Sequence, residues 1–141
     1  MDTDLAPHMA IGAAAKRAGV GIDTIRYYER EGLLPPPRRR VSGYRDYDAF
    51  AVDRLRFIRH AKQLGFTLGE IRELLAVSID HERGVRGVKQ RAQARMAAME
   101  QRIRELQRMR RGLKKLIDAC PGRGDPAACP ILGALIHGEQ A

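Results

Sequence analysis

Residues 21–34 read GIDTIRYYEREGLL, and the punctuation around this stretch decides the fold of the first half of the chain. Ile11 to Ala18 just before it is Ala-rich and helical, and Gly19-Val20-Gly21 interrupts that helix. Asp23 or its neighbour then opens a second helix, and Gly32 supplies the left-handed residue needed just past its end. Two short helices joined by a glycine-containing turn make a helix-turn-helix. Working outward, Pro35, Pro36 and Pro37 stop further helix. Residues 38–47, RRRVSGYRDY, hold Ser42-Gly43 between β-compatible residues, which signals a hairpin. A helix-turn-helix followed by a small hairpin is a winged helix. Ala51, Leu55, Phe57, Ile58 and Ala61 follow at helical spacings, Gly65 breaks the pattern, and Thr67 with Glu70 forms a capping box for a helix through Leu75.

Residues 82–118 carry a heptad. One seam position reads Val85, Ala92, Met99, Leu106 and Leu113, and the other reads Lys89, Met96, Ile103, Arg110 and Ile117. Eight of these ten are apolar, which predicts a coiled coil rather than a helix of a globular core. About 35 residues rising 1.5 Å each make a rod of roughly 50 Å, too long to bury itself against so small a domain. A second copy of the chain is the expected partner, with the direction of pairing left open. The expected fold class is therefore mainly α, in three parts: a winged helix-turn-helix over 10–77, a dimerisation helix over 82–118, and a loop with a short helix over 119–137.

The chain has 141 residues and a formal charge of +9, which favours a polyanionic partner. No apolar run is long enough to cross a bilayer. The first residues, MDTDLAPHM, lack the basic and apolar regions of a signal peptide, so a cytoplasmic location is expected. No nucleophile–base set or phosphate-binding glycine loop is present, so an enzyme is not expected. On the second helix Thr24, Arg26, Tyr27 and Tyr28 supply long donors for base edges and phosphates. Arg38, Arg39, Arg40, Tyr44 and Arg45 on the hairpin, and Arg54, Arg56 and Arg59 beyond it, are placed to grip a nucleic-acid backbone. The competing reading makes the arginines a solvated face and the tyrosines core. Adjacent on one helix, Tyr27 and Tyr28 divide: one packs inward and the other faces out.

Cys120 and Cys129 are the only cysteines, separated by eight residues of turn formers, small residues and one charge pair. In a reducing compartment such a pair reads as a metal or redox site. Pro130 suits the first position of a helix, so Cys129 stands at its N-terminus, where free amides lower a thiol's pKa. Cys120 ends the long helix, where the dipole is unfavourable, and loop amides, Arg123 or the metal itself must offset it. Two sulfurs select soft ions. Cu(I), Ag(I) or Au(I) is satisfied by two thiolates in a line, whereas Zn(II) takes four ligands and would recruit Asp80, His81, Asp125, His137 or a residue of a second copy. A reversible disulfide switch and plain buried cysteines are the alternatives; an iron–sulfur cluster needs about four cysteines.

TIRYYEREGLL, SGYR and LGFTLGEI stand here in the order found in the MerR family of transcriptional regulators, which residues 10–77 closely resemble. The resemblance implies a homodimer held by an antiparallel coiled coil on double-stranded promoter DNA whose elements are spaced too far apart. Effector binding distorts that DNA so that RNA polymerase can use it. By position in the motifs, Arg26, Tyr27, Tyr44 and Arg45 would contact DNA, with Lys16, Arg17 and Thr24 supporting. Ala13-Ala14 departs from the larger or acidic residues of many members, an effect on packing only.

The tail ACPGRGDPAACPILGAL resembles the loop of metal-responsive members, and Cys120 and Cys129 match its two cysteines. Members answering to Zn(II), Hg(II), Cd(II) or Pb(II) carry another cysteine near the start of the dimer helix, where this chain has Val85. That resembles the copper-, silver- and gold-sensing members. The loop is nevertheless one residue longer than the copper type, and the His-Cys-rich tail of that type is missing. The expectation is a regulator answering to Cu(I) or another coinage ion, with a divalent ion second and a thiol redox signal third.

Overall fold

A computed structural model of the chain describes residues 8–39 and 45–138. It divides into two compact units, Met1–Lys89 and Gln90–Ala141. The first holds helices α1 (Ile11–Ala18) and α2 (Ile22–Arg30), strands β1 (Arg38–Arg39) and β2 (Arg45–Asp46), and helices α3 (Ala49–Gln63) and α4 (Leu68–Ser78). Helix α5 (Gly84–Ala119) begins there and runs into the second unit, followed by a 3-10 turn at Pro126–Ala128 and helix α6 (Pro130–His137).

Each boundary in the first unit has a local cause. Gly19 ends α1 at φ 71°, a left-handed conformation that costs glycine nothing. Helix α2 starts at Ile22, the neighbour of Asp23: Gly21 is its N-cap and Asp23 lies in the first turn, facing the positive end of the dipole. Gly32 follows α2 at φ 74°. β1 and β2 pair antiparallel, Arg38 opposite Asp46 and Arg39 opposite Arg45, and an isolated bridge ties Met9 to Tyr47. The hairpin tip expected at Ser42-Gly43, with Arg40 and Tyr44, lies outside the described residues. Asp48 caps α3 by accepting the Ala51 amide at 2.9 Å. Both halves of the Thr67–Glu70 capping box are made, at 2.9 and 3.1 Å, and α4 runs past Leu75 to Ser78.

The core is a single cluster. Ile25, Leu33, Leu34, Tyr47, Leu55, Ile58 and Ile71 are almost fully buried, around Ala14, Ala15 and Ala18 of α1. Ala14, Ala15 and Ala18 give α1 a small buried face against this core. Tyr28 joins this core while Tyr27 stays 38% exposed.

The join between α4 and α5 is equally tight. Asp80 accepts the amides of Glu82 and Arg83 through its side chain, and its carbonyl accepts the Gly84 amide. A Cβ on Gly84 would lie 2.7 Å from the Val77 carbonyl oxygen, and one on Gly87 would press on the Val77 side chain at 3.3 Å. Gly84→Ala is therefore expected to destabilise the first unit by about 1–3 kcal/mol. Gly133→Ala in α6, where a Cβ meets nothing within 4 Å, should be neutral or mildly stabilising. Thermal unfolding of the two variants checks this, and equal melting temperatures would refute it.

Along α5 the heptad seam is laid out in the open. Met96, Ile103, Leu106, Leu113 and Ile117 each leave roughly half their surface exposed, and Val85 more. No helix among the described residues is long and apolar enough to cross a membrane.

Candidate metal centre and nucleic-acid interface

Helix α5 ends at Ala119, so Cys120 is the first residue beyond it. The chain then turns through Gly122 and Gly124, both at positive φ, and Asp125 caps the 3-10 turn by accepting the Ala127 amide at 3.0 Å. The turn delivers Cys129 as the N-cap of α6, with Pro130 in the first position. The two sulfurs stand 4.0 Å apart. That is about twice a disulfide bond of ~2.05 Å, and both thiols are free.

Each sulfur meets backbone amides. Gly122 donates its N–H to Cys120 Sγ at 3.4 Å. The Leu132 N–H holds the Cys129 thiol below its ordinary pKa; burial opposes this, and the Ile131 N–H and the Cys120 side chain add to the lowering. These are the free donors of a helix N-terminus aimed at an anion.

The pair fits a thiophilic ion. With bonds of about 2.3 Å, two sulfurs on one metal stand about 3.8 Å apart in a tetrahedron and about 4.6 Å apart in a line. The observed spacing lies between these and admits both. Among the described residues no group of three or more His, Cys, Asp or Glu gathers as a metal site. Asp80 and Asp125, two of the helpers expected for a four-coordinate ion, accept backbone amides.

In the first unit, Lys16 and Arg17 are exposed in the last turn of α1. On α2, Arg26 is exposed, Tyr27 is partly so, and Thr24 is half-buried. Arg26 reaches Asp23 only loosely, at 3.9 Å, with both side chains in solvent. Arg45 pairs in β2, but its side chain and all of Tyr44 lie outside the described residues.

The arginines expected on phosphates beyond the hairpin are placed differently. Arg56 donates Nε and Nη2 to the Arg17 carbonyl at 3.3 and 3.1 Å, and Arg59 donates to the Ala18 carbonyl at 3.4 Å. Arg54 binds the Leu33 carbonyl at 2.7 Å. Arg56 and Arg59 close carbonyls at the end of α1, and Arg54 one in the segment after α2. Arg72, unremarked in the sequence, does the same for Glu31 at 2.7 Å. No sequence signal marks these roles, because the partners are carbonyls some 20 to 40 residues away.

A family model described as MerR HTH family regulatory protein matches residues 9–77, and a second, MerR, DNA binding, matches residues 52–116. The HTH-type transcriptional regulator ZntR of Escherichia coli is 46% identical over 135 residues, covering 92% of this chain and 94% of that protein. The crystal structure of the transcription regulator PbrR691 from Ralstonia metallidurans CH34 in complex with lead(II) superposes with a TM-score of 0.78. It shares 37% identity and covers 90% of this chain and 98% of that one. The regulator MerR from Bacillus megaterium MB1, in complex with mercury(II), gives a TM-score of 0.71 at 38% identity, covering 91% and 99%.

Proposed function

The chain belongs to the MerR family of HTH regulatory proteins, in its metal-responsive, non-enzymatic branch, and on that premise we propose that its signal is Cu(I) or another monovalent coinage ion held by Cys120 and Cys129. The observation that carries this reading is the thiol pair itself, 4.0 Å apart, with amides aimed at both sulfurs and no third ligand gathered among the described residues. Two thiolates satisfy a monovalent soft ion and leave a divalent one short.

The protein acts in the cytoplasm as a homodimer on promoter DNA, with the exposed seam of α5 as the dimer contact. Arg26, Tyr27 and Thr24 on α2 meet the groove, Lys16 and Arg17 flank it on α1, and Tyr44 and Arg45 grip the backbone from the hairpin. Cys120 and Cys129 would hold the ion, which would supply a link between two thiolates and so tie the end of α5 to the start of α6. Ile131, Leu132, Leu135 and Ile136 of α6 then have a defined position in which to pack, and this biases the angle between the two DNA-binding heads. The bound duplex changes twist, and RNA polymerase gains a usable promoter.

Anaerobic titration of the reduced protein with Cu(I), Ag(I), Zn(II), Hg(II) and Pb(II) against competing chelators tests the assignment. The expected result is one Cu(I) per chain in a two-sulfur environment by X-ray absorption, with transcription responding to copper or silver. Four-ligand Zn(II) binding, with transcription answering to zinc and not to copper, would overturn it. A divalent ion is the second reading, favoured by the lead(II) and mercury(II) complexes of the two similar structures. Output that follows oxidants while ignoring every metal would instead identify a thiol redox switch.

A further inference from the structure

Most of the net positive charge of this protein lies outside the segment that holds the DNA-reading helices. Residues 1–83 carry fourteen Lys or Arg against twelve Asp or Glu, a net of only +2, whereas residues 84–119 carry eleven against three, a net of +8 of the chain's +9. Helix α5 therefore holds nearly all of the electrostatic attraction available for a polyanion.

Within α5 the charge is organised. Arg104, Arg108, Arg111 and Lys115 follow one another at spacings of four, three and four residues, which sets them in one row about 16 Å long. All four are exposed, and the row lies on the face opposite Ile103, Leu106 and Leu113. Arg104 touches only Gln101, at 2.8 Å, and Arg108, Arg111 and Lys115 have no ion pair or hydrogen bond among the described residues. Elsewhere on the same helix Arg102 pairs with Glu105 and Lys114 with Asp118, so acidic neighbours are available to α5 but withheld from this row. Like charges at these spacings destabilise a helix. A row that is both self-repelling and clear of the apolar seam needs another partner.

We propose that this row is a second DNA-binding surface, taking the phosphate backbone of duplex DNA without regard to sequence, separate from operator reading by α2. Duplex DNA fits better than an acidic protein because it presents about one negative charge per 1.7 Å of axis, enough to meet every cation of a 16 Å row. It is also the polyanion this family already works on. A near-neutral head supplies little of the sequence-independent attraction that holds a regulator on the chromosome during search; α5 supplies it.

The test uses the full-length reduced protein and a random-sequence duplex of about 30 bp, followed by fluorescence anisotropy between about 50 and 200 mM salt. The variant R104Q/R108Q/R111Q/K115Q is expected to lose at least about tenfold in affinity at the low-salt end. Its slope of log affinity against log salt should flatten by about 0.9 for each phosphate that is no longer neutralised. R104K/R108K/R111K, which keeps the charge, should retain the wild-type slope, and light scattering should give all proteins the same mass. If the fourfold variant does not fold, R108Q/R111Q replaces it, with about half the change in slope. An unchanged slope and affinity in the glutamine variants overturns the proposal. So does a loss of binding to poly-L-glutamate with duplex binding intact, which would make the row a site for an acidic protein.

Discussion

Replacing Cys129 with serine is expected to weaken Cu(I) binding by well over a hundredfold and to abolish metal-dependent transcription, while DNA binding by the first unit is unchanged. Even a residue that only supports a ligand is worth about 10–100-fold in metal affinity, and here half of the gathered donor set is removed. Serine keeps the N-cap of α6, since its hydroxyl suits that position at least as well as a thiol, so the loss is one of coordination and not of folding. The pH dependence has a definite sign. Amides of Leu132 and Ile131 hold the Cys129 thiol below the ordinary value, so its thiolate persists to lower pH than that of an unperturbed cysteine. Protons should therefore displace a metal from Cys129 only at a lower pH than they would from an unperturbed thiol. Alkylation of Cys120→Ser by iodoacetamide across pH isolates the Cys129 thiol. A rate midpoint at or above that of a free thiol would contradict the role given to the α6 amides. Metal-dependent transcription surviving in Cys129→Ser would remove the site altogether.

The parts of this molecule that sequence makes legible are those with local causes. Gly19 and Gly32 sit at positive φ where a helix ends, a demand read from the chain immediately around them. Thr67 and Glu70 lie three residues apart and cap one another, and Pro130 puts Cys129 at a helix start by the geometry of a single residue. What escaped depends on distant partners. Arg56 and Arg59 look like phosphate ligands until α3 packs on α1 and sets the carbonyls of Arg17 and Ala18 beside them. Gly84 looks like ordinary helix-start glycine until Val77 is found against it. The metal's identity is hidden for another reason. The thiol spacing is compatible with two coordination geometries, and no third donor stands with the sulfurs among the described residues to distinguish them.

Ile103→Lys is expected to turn a stable dimer into a monomer and, with it, to remove operator binding. The side chain is half-exposed on the single chain, and its neighbours along the seam, Met99 and Leu106, share the same face. Helix α5 runs from Gly84 to Ala119, so Ile103 lies close to its midpoint. In a full-length antiparallel pair the midpoint sits on the two-fold axis, and a lysine there meets its own copy as well as an apolar seam. An unpaired buried charge costs about 3–5 kcal/mol, and the symmetric pair contributes two. At 1.4 kcal/mol per decade, the dimer dissociation constant should rise by at least about four orders of magnitude. In such a pair Lys89 and Arg110 would fall away from the midpoint, where long side chains can carry their charge out to water. A promoter with two half-sites then loses one of its two contacts, and operator affinity collapses with it. Ala94→Lys, on the exposed face opposite the seam, adds the same charge and should leave both mass and operator binding as they were. Light scattering with a gel-shift titration separates the outcomes. An Ile103→Lys protein that stays dimeric would mean that the seam of α5 is not the dimer contact, and the coupling of the thiol loop to DNA twist would then need another route.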